Sequence, residues 1–197
     1  MVEINYTGDV LWARIERAVE NVKDRLRRVT GSLNQAGVPY ALVGGNAVQH
    51  WVAQVDESVV RNTRDVDIIL NRHDLPRAIQ ALESAGFVYR RSAGVTMFLD
   101  GPGAKTRDAV RVVFAGEKVR EEYPEPVPGI DDYELIANVR MLPLEALVRM
   151  KLTSFRDKDR VHLRDMISVG LVDESWLDRF SPELRTRLKR LLDDPEG

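Results

Sequence analysis

Asp65 and Asp67 stand two residues apart in DVDIIL at 65–70, a segment that reads as a strand, so both carboxylates project to one face. Val66, Ile68 and Leu70 alternate to the other face and suit a core. Two ionised carboxylates on neighbouring same-face positions repel each other, and a hard divalent cation such as Mg²⁺ relieves that repulsion with oxygen ligands. A solvated edge strand with two surface aspartates would carry the same pattern. Upstream, Gly44-Gly45 breaks the apolar run PYALV at 39–43 and leads into a helical pattern from Asn46 to Val55. Strand, glycine pair and helix start would gather free backbone N–H groups and the positive end of a helix dipole at one spot, which suits a phosphate. Asn46 adds a side-chain amide there. A bare structural turn also ends many strands in a glycine pair. Lys151 is the third such feature, lying near the centre of an apolar stripe of Leu147, Val148, Leu152 and Phe155. A lysine there must snorkel, pair with a carboxylate or face a cleft. In a cleft it would neutralise phosphate charge. The alternative is a buried Lys–Asp or Arg–Asp brace between helices, with Arg156 and Asp159 in line with the next inner stripe of Leu163, Met166 and Ile167.

These groups need elements to hold them. Val10 to Gln35 carries Leu11, Ile15, Val19, Val22, Leu26 and Val29 at helical spacing, and Gly37-Val38-Pro39 stops that helix. Asp74-Leu75-Pro76 resembles a helix start and Gly86 an end; Val95–Leu99 and Ala109–Phe114 read as strands joined by GPGA at 101–104. The Pro-rich segment from Glu121 to Asp132 reads as a surface loop or a linker. After it the pattern is helical, with Pro143 in a first turn and Ser181-Pro182-Glu183 as a capped start for a last helix. One helix, a strand-rich middle and several helices predict an α+β fold. The expected parts are an N-terminal helix over 1–36, a core over 37–135 and a helical C-terminal part over 136–197, packed as one compact unit.

Together, VGGNA at 43–47 and RNTRDVDI at 61–68 resemble the nucleotidyltransferase superfamily with a DNA polymerase β-like fold, and within it the small bacterial branch of AbiEii-type toxins. The matched positions are Gly44, Gly45, Arg61, Thr63, Asp65 and Asp67, and the resemblance spans residues 39 to 165. It implies a mixed sheet flanked by helices and transfer of a nucleotidyl group from an NTP to an acceptor hydroxyl, dependent on Mg²⁺ or Mn²⁺. It would place Gly44, Gly45 and Asn46 on the triphosphate, joined by Arg61, Thr63, Arg111 and Lys151, with Asp65 and Asp67 on the metal. The run at 150–165 resembles the toxins' helical segment, in which a lysine and a later aspartate support catalysis. Lys151 matches the lysine, and Asp159, supported by Arg156, matches the aspartate better than Asp165, which points away from the stripe. In one position the chain departs from the pattern. The superfamily's third carboxylate belongs on the neighbouring strand, where AVRVVF at 109–114 has Arg111. Arg111 either binds phosphates or pairs with Asp65 or Asp67 and leaves no metal site; Asp108 and Glu117 flank the strand.

The 197-residue chain carries 29 Lys plus Arg against 31 Asp plus Glu, a net charge of −2 that gives no global pull toward nucleic acid or a membrane surface. Without cysteine it can hold no disulfide, thiol nucleophile or Cys-ligated metal. His50, His73 and His162 lack metal-ligand spacing, and His162 lies off its helix's inner stripe. The basic clusters Arg25-Arg27-Arg28 and Arg185-Arg187-Lys189-Arg190 read as solvated helix faces. No apolar run spans a bilayer, and MVEINYTGDVLW lacks the features of a signal peptide, so a cytoplasmic protein is expected. Nucleotidyl transfer to RNA, a protein or a small molecule is the leading function, with an antitoxin-type protein as a possible partner. The alternative is a catalytically impaired module of the same fold that binds a nucleotide or a partner protein.

Overall fold

The computed structural model describes residues 7–194, so the first six residues of the stretch read for a signal peptide lie outside the described residues. Strand β1 (Ala41–Val43) is buried at every position because it runs inside a sheet. It lies antiparallel to β2 (Val66–Leu70), with Val43 opposite Asp67. β2 in turn pairs in parallel with β5 (Val110–Phe114), which sets Arg111 opposite Asp67. The antiparallel pairs β3 (Val88–Ser92) with β4 (Val95–Leu99), and β6 (Glu134–Ile136) with β7 (Val139–Met141), complete a seven-stranded mixed sheet in the order β3-β4-β5-β2-β1-β7-β6. Ile68, Ile69 and Leu70 are fully buried, so β2 leaves Asp67 as its polar position.

Helix α1 (Gly8–Gln35) packs on α3 (Leu75–Ser84), while α2 (Gly44–Ala53), α4 (Leu144–Ser154) and α5 (Asp157–Ser168) pack together, with α6 (Pro182–Asp193) behind α4 and α5. The fold class and the helical C-terminal part are as expected from the sequence. Several local features differ. The segment read as helical after the Pro-rich loop opens instead with the β6–β7 hairpin, whose two-residue turn puts Ala137 and Asn138 at φ 49° and 64°, the geometry of a type I′ turn. The stripe of α1 is buried only in its C-terminal half, at Leu26, Val29 and Leu33, while Leu11, Trp12 and Ile15 are exposed. The basic clusters are mixed: Arg27, Arg185, Lys189 and Arg190 are exposed as expected, whereas Arg25 and Arg187 are structural fasteners. Arg25 is buried and donates to Asp100 and to the Arg64 carbonyl. Arg187 donates to the carbonyls of Leu152 and Thr153 at 2.7 and 2.8 Å, which satisfies the open end of α4. Pro143 is the N-cap of α4, and the Ser181 hydroxyl donates to Glu125 instead of capping α6.

Candidate active site

The glycine pair meets the paired aspartates because β1 and β2 are neighbours in register. Gly44 has φ +73°, and a Cβ there would lie 2.2 Å from Asp67 Oδ2, so only glycine fits beside that carboxylate. Gly45 is pressed by Thr63, whose Oγ1 would stand 2.9 Å from an added Cβ. Helix α2 begins at Gly44 itself, with Val43 as an N-cap that offers no side-chain acceptor, so the first N–H groups are open to an anion. Asn46 is buried and its amide donates to the Asp65 carbonyl; it ties α2 to the entry of β2. Arg61 donates to both oxygens of Asp165 at 2.9 and 2.8 Å while its side chain remains largely exposed on the cleft wall. Asp165, expected to point away, is therefore buried and paired.

Asp65 precedes β2 and Asp67 lies within it, and the two carboxylates share the cleft floor. Burial, and then the charge of Asp65, push the Asp67 carboxyl above its ordinary value. Among the described residues none donates a hydrogen bond to the Asp67 carboxylate. Asp65 is different: the Arg111 guanidinium pairs with it, one of the two arrangements expected for Arg111. Glu117 is held by Arg72 and Asp108 pairs with Arg107, so neither supplies a third carboxylate. Among the described residues no three His, Cys, Asp or Glu side chains are grouped as a metal site. The donor set fits one hard cation at most, on the free Asp67 carboxylate with an Asp65 oxygen beside it.

Lys151 does both things the sequence left open. It is buried, its Nζ donates to Asp159 Oδ1 at 3.1 Å, and it lines the cleft that holds Asp67. Burial lowers the Lys151 ammonium from its ordinary value, against the pull of Asp159. Burial alone would raise the Asp159 carboxyl, but Lys151 and the hydrogen bonds from Arg156 and Ser154 bring it down to about 2. Arg156 is the N-cap of α5, and its backbone N–H and Nε both reach Asp159. Phe155 between the two helices sits at φ 46°, a strained turn for a non-glycine residue that brings α5 back against α4. His162 was read as off the inner stripe, yet it lines the cleft, with a buried Nδ1 that has no partner among the described residues. Burial, and then the charge of Lys151, hold its imidazole down at about 4.

The cleft is about 800 Å³, ample for a nucleotide, and its far wall was not anticipated. Tyr123 of the Pro-rich segment lines it together with Lys118 and Arg120 just before that segment, as does the tip of the β3–β4 hairpin at Ala93 and Gly94. The surplus of basic over acidic lining groups suits a polyanion. The loop's four residues of Pro and Gly marked it as a covering segment, but no local spacing told which side chains it turns inward.

No family model and no curated protein matches the sequence. Solved structures do. An antigenic nucleotidyltransferase-like protein from Paracoccidioides brasiliensis superposes with TM-score 0.57 at 20% identity, covering 88% of this chain and 88% of that one. The antibiotic-resistance factor ANT(2'')-Ia gives TM-score 0.53 at 12% identity over 84% of this chain and 88% of its own, and it has been solved in complex with adenylyl-2"-tobramycin. A putative nucleotidyltransferase from H. pylori gives 0.51 at 17% identity, over 90% and 78%. The helix-flanked mixed sheet with its helical C-terminal part is the nucleotidyltransferase-like fold.

Proposed function

We propose that the chain transfers a nucleotidyl group from an NTP to an acceptor hydroxyl. The observation that carries this reading is the contact of Gly44 with Asp67: an anion seat at a helix start, closed against a carboxylate to which none of the described residues donates a hydrogen bond. The open N–H groups of α2, with Thr63 and Arg61 at the side, would hold the triphosphate. A Mg²⁺ or Mn²⁺ ion on Asp67 and Asp65 would neutralise phosphate charge and make the α-phosphorus more electrophilic. Lys151 would add positive charge beside the transferred group, with Asp159 and Arg156 fixing its position. In the reaction the acceptor oxygen bonds to the α-phosphorus, the bond to the bridging oxygen breaks, pyrophosphate leaves and the hydroxyl proton passes to solvent. RNA, a protein or a small molecule could supply that hydroxyl. A cytoplasmic, AbiEii-like role with an antitoxin-type partner belongs to the same proposal.

Calorimetry of each NTP with Mg²⁺, with Mn²⁺ and with EDTA tests it. Metal-assisted binding should be present in the wild type and absent in Asp67→Asn; equal affinity in all three conditions and in the variant would sink the reading. Incubation with labelled NTPs and a cell extract then tests transfer itself. One observation favours a second reading, a module of this fold that binds a nucleotide without transferring it. Arg111 already neutralises Asp65, and a guanidinium can neither ligate a metal nor take a proton near neutral pH. Tight NTP binding with no labelled product under any metal would support that module.

A further inference from the structure

The phosphate seat leaves the rest of an NTP unaccounted for, and the opposite wall of the cleft offers one surface suited to it. Residues 116–127 form a strap that leaves the end of β5 and returns beside its own start. Gly116 N–H donates to the Val127 carbonyl and Val127 N–H donates to the Glu117 carbonyl, both at 2.9 Å. Two side-chain anchors fix it further. Arg72 clasps Glu117, and Glu125 accepts from Arg149 at 3.3 Å and from the Ser181 hydroxyl at 2.8 Å. Val127 is buried in the core at its end. A strap fastened at both ends presents the residues next to those ends with less ordering left for a ligand to impose.

Two aromatic rings line the cleft, Phe114 and Tyr123. Phe114 is nearly buried and the Arg72 guanidinium covers its face at 3.7 Å, so it offers no open surface. Tyr123 is only half-buried and is set in the strap by its N–H bond to the Arg120 carbonyl, and the Arg120 guanidinium stands 5.9 Å from its ring centroid, much farther than the 3.7 Å at which Arg72 covers Phe114. Tyr123 lines the same cleft as Asp65, Asp67 and Arg156. Around Gly44 and Asp67 the lining is rich in charge, with Asp65, Arg111 and Lys151 beside the carboxylate, and has no open aromatic face on which a planar heterocycle could stack.

We propose that Tyr123, on the 116–127 strap, is the stacking surface for the nucleoside base, in the same cleft as the phosphate seat at Gly44. This rests on the triphosphate reading above and adds where the base lies. Stacking of a base on an aromatic side chain contributes roughly 1–3 kcal/mol and tolerates any base, because each has a π-face. The strap therefore supplies affinity for the nucleoside, and the glycine seat supplies affinity for the phosphates.

The test is calorimetry, in Mg²⁺, of ATP, GTP, CTP, UTP and inorganic tripolyphosphate against wild type, Tyr123→Phe, Tyr123→Leu and Tyr123→Ala. In the wild type at least one NTP should bind more tightly than tripolyphosphate. Tyr123→Ala and Tyr123→Leu should weaken that NTP by about tenfold or more and leave tripolyphosphate unchanged, while Tyr123→Phe keeps wild-type affinity. Should the alanine variant fold poorly, the leucine and phenylalanine pair carries the comparison, since both keep a large apolar side chain and only one keeps the ring. NTP affinity unchanged in Tyr123→Leu, or an equal loss for NTP and tripolyphosphate, overturns the base seat while the triphosphate reading stands. Wild-type protein that binds neither an NTP nor tripolyphosphate overturns the triphosphate reading, and the base seat with it.

Discussion

Lys151 answers to two carboxylates of different character. Asp159 holds its ammonium at 3.1 Å behind the cleft, and Asp67 attracts it from the floor. Asp159 would keep Arg156 and Ser154 as partners if the lysine were lost, so Lys151→Met should fold. Nucleotide affinity should then fall at least about tenfold, roughly 1.4 kcal/mol, by calorimetry. A drop in melting temperature with unchanged affinity would make Lys151 a brace only. Arg111 invites the opposite experiment. Arg111→Gln frees Asp65, so Mn²⁺ binding without nucleotide, followed by electron paramagnetic resonance, should strengthen several-fold. If NTP affinity falls instead and Mn²⁺ binding stays as it was, Arg111 is a phosphate ligand. At this scale the sequence was informative wherever chemistry and local spacing coincide, as at Gly44 and Asp67. It left Arg111 and Lys151 with alternatives because each is decided by a partner distant in the chain. Asp165 was misjudged for the same reason: its partner Arg61 arrives from the segment before β2.

The elements that hold these groups depend on how their ends are closed. Helix α4 stops at the strained Phe155, and Arg187 of α6 binds the carbonyls that the stop leaves open. Arg187→Met removes a charge-assisted donor from two backbone acceptors, so we expect about 1.5–3 kcal/mol of lost stability in urea unfolding. Because that end of α4 adjoins Lys151, NTP affinity should fall with it; stability lost without any change in affinity would mean that α4 keeps its position unaided. Long periodic elements such as α1 and α3 were legible from apolar spacing. The β6–β7 hairpin was not. Its strands have three residues each, too few to show alternation, and its turn has Ala137 where Asn or Gly usually marks positive φ. The buried half of α1 could not be told from the exposed half, since Ile15 and Leu26 lie on one stripe and only the sheet's extent separates them.

Across the whole molecule, two groups near the cleft, His162 and Asp159, weaken the fold in acid, while the raised Asp67 carboxyl acts the other way. His162 titrates at about 4 in the fold against an ordinary 6.5, so the unfolded chain takes up that proton first. Its contribution to stability is full above about 6.5 and is lost as the pH falls toward 4. Asp159, at about 2 against 3.8, contributes fully above about 3.8, and that part is lost only as the pH falls toward 2. The melting temperature should therefore decline in two stages, and His162→Gln should flatten the upper one alone. A profile unchanged by His162→Gln would exclude the imidazole as its source. The strand order has a consequence of another kind, for biosynthesis. Leu42 of β1 pairs with Met141 of β7, so the centre of the sheet must wait for a strand made much later. Gly44 and Asp67 leave the ribosome well before Lys151 and the Arg187 that closes its helix. A nascent chain thus carries the phosphate seat long before it can enclose a nucleotide, and any activity of the protein should begin only after Arg187 has emerged.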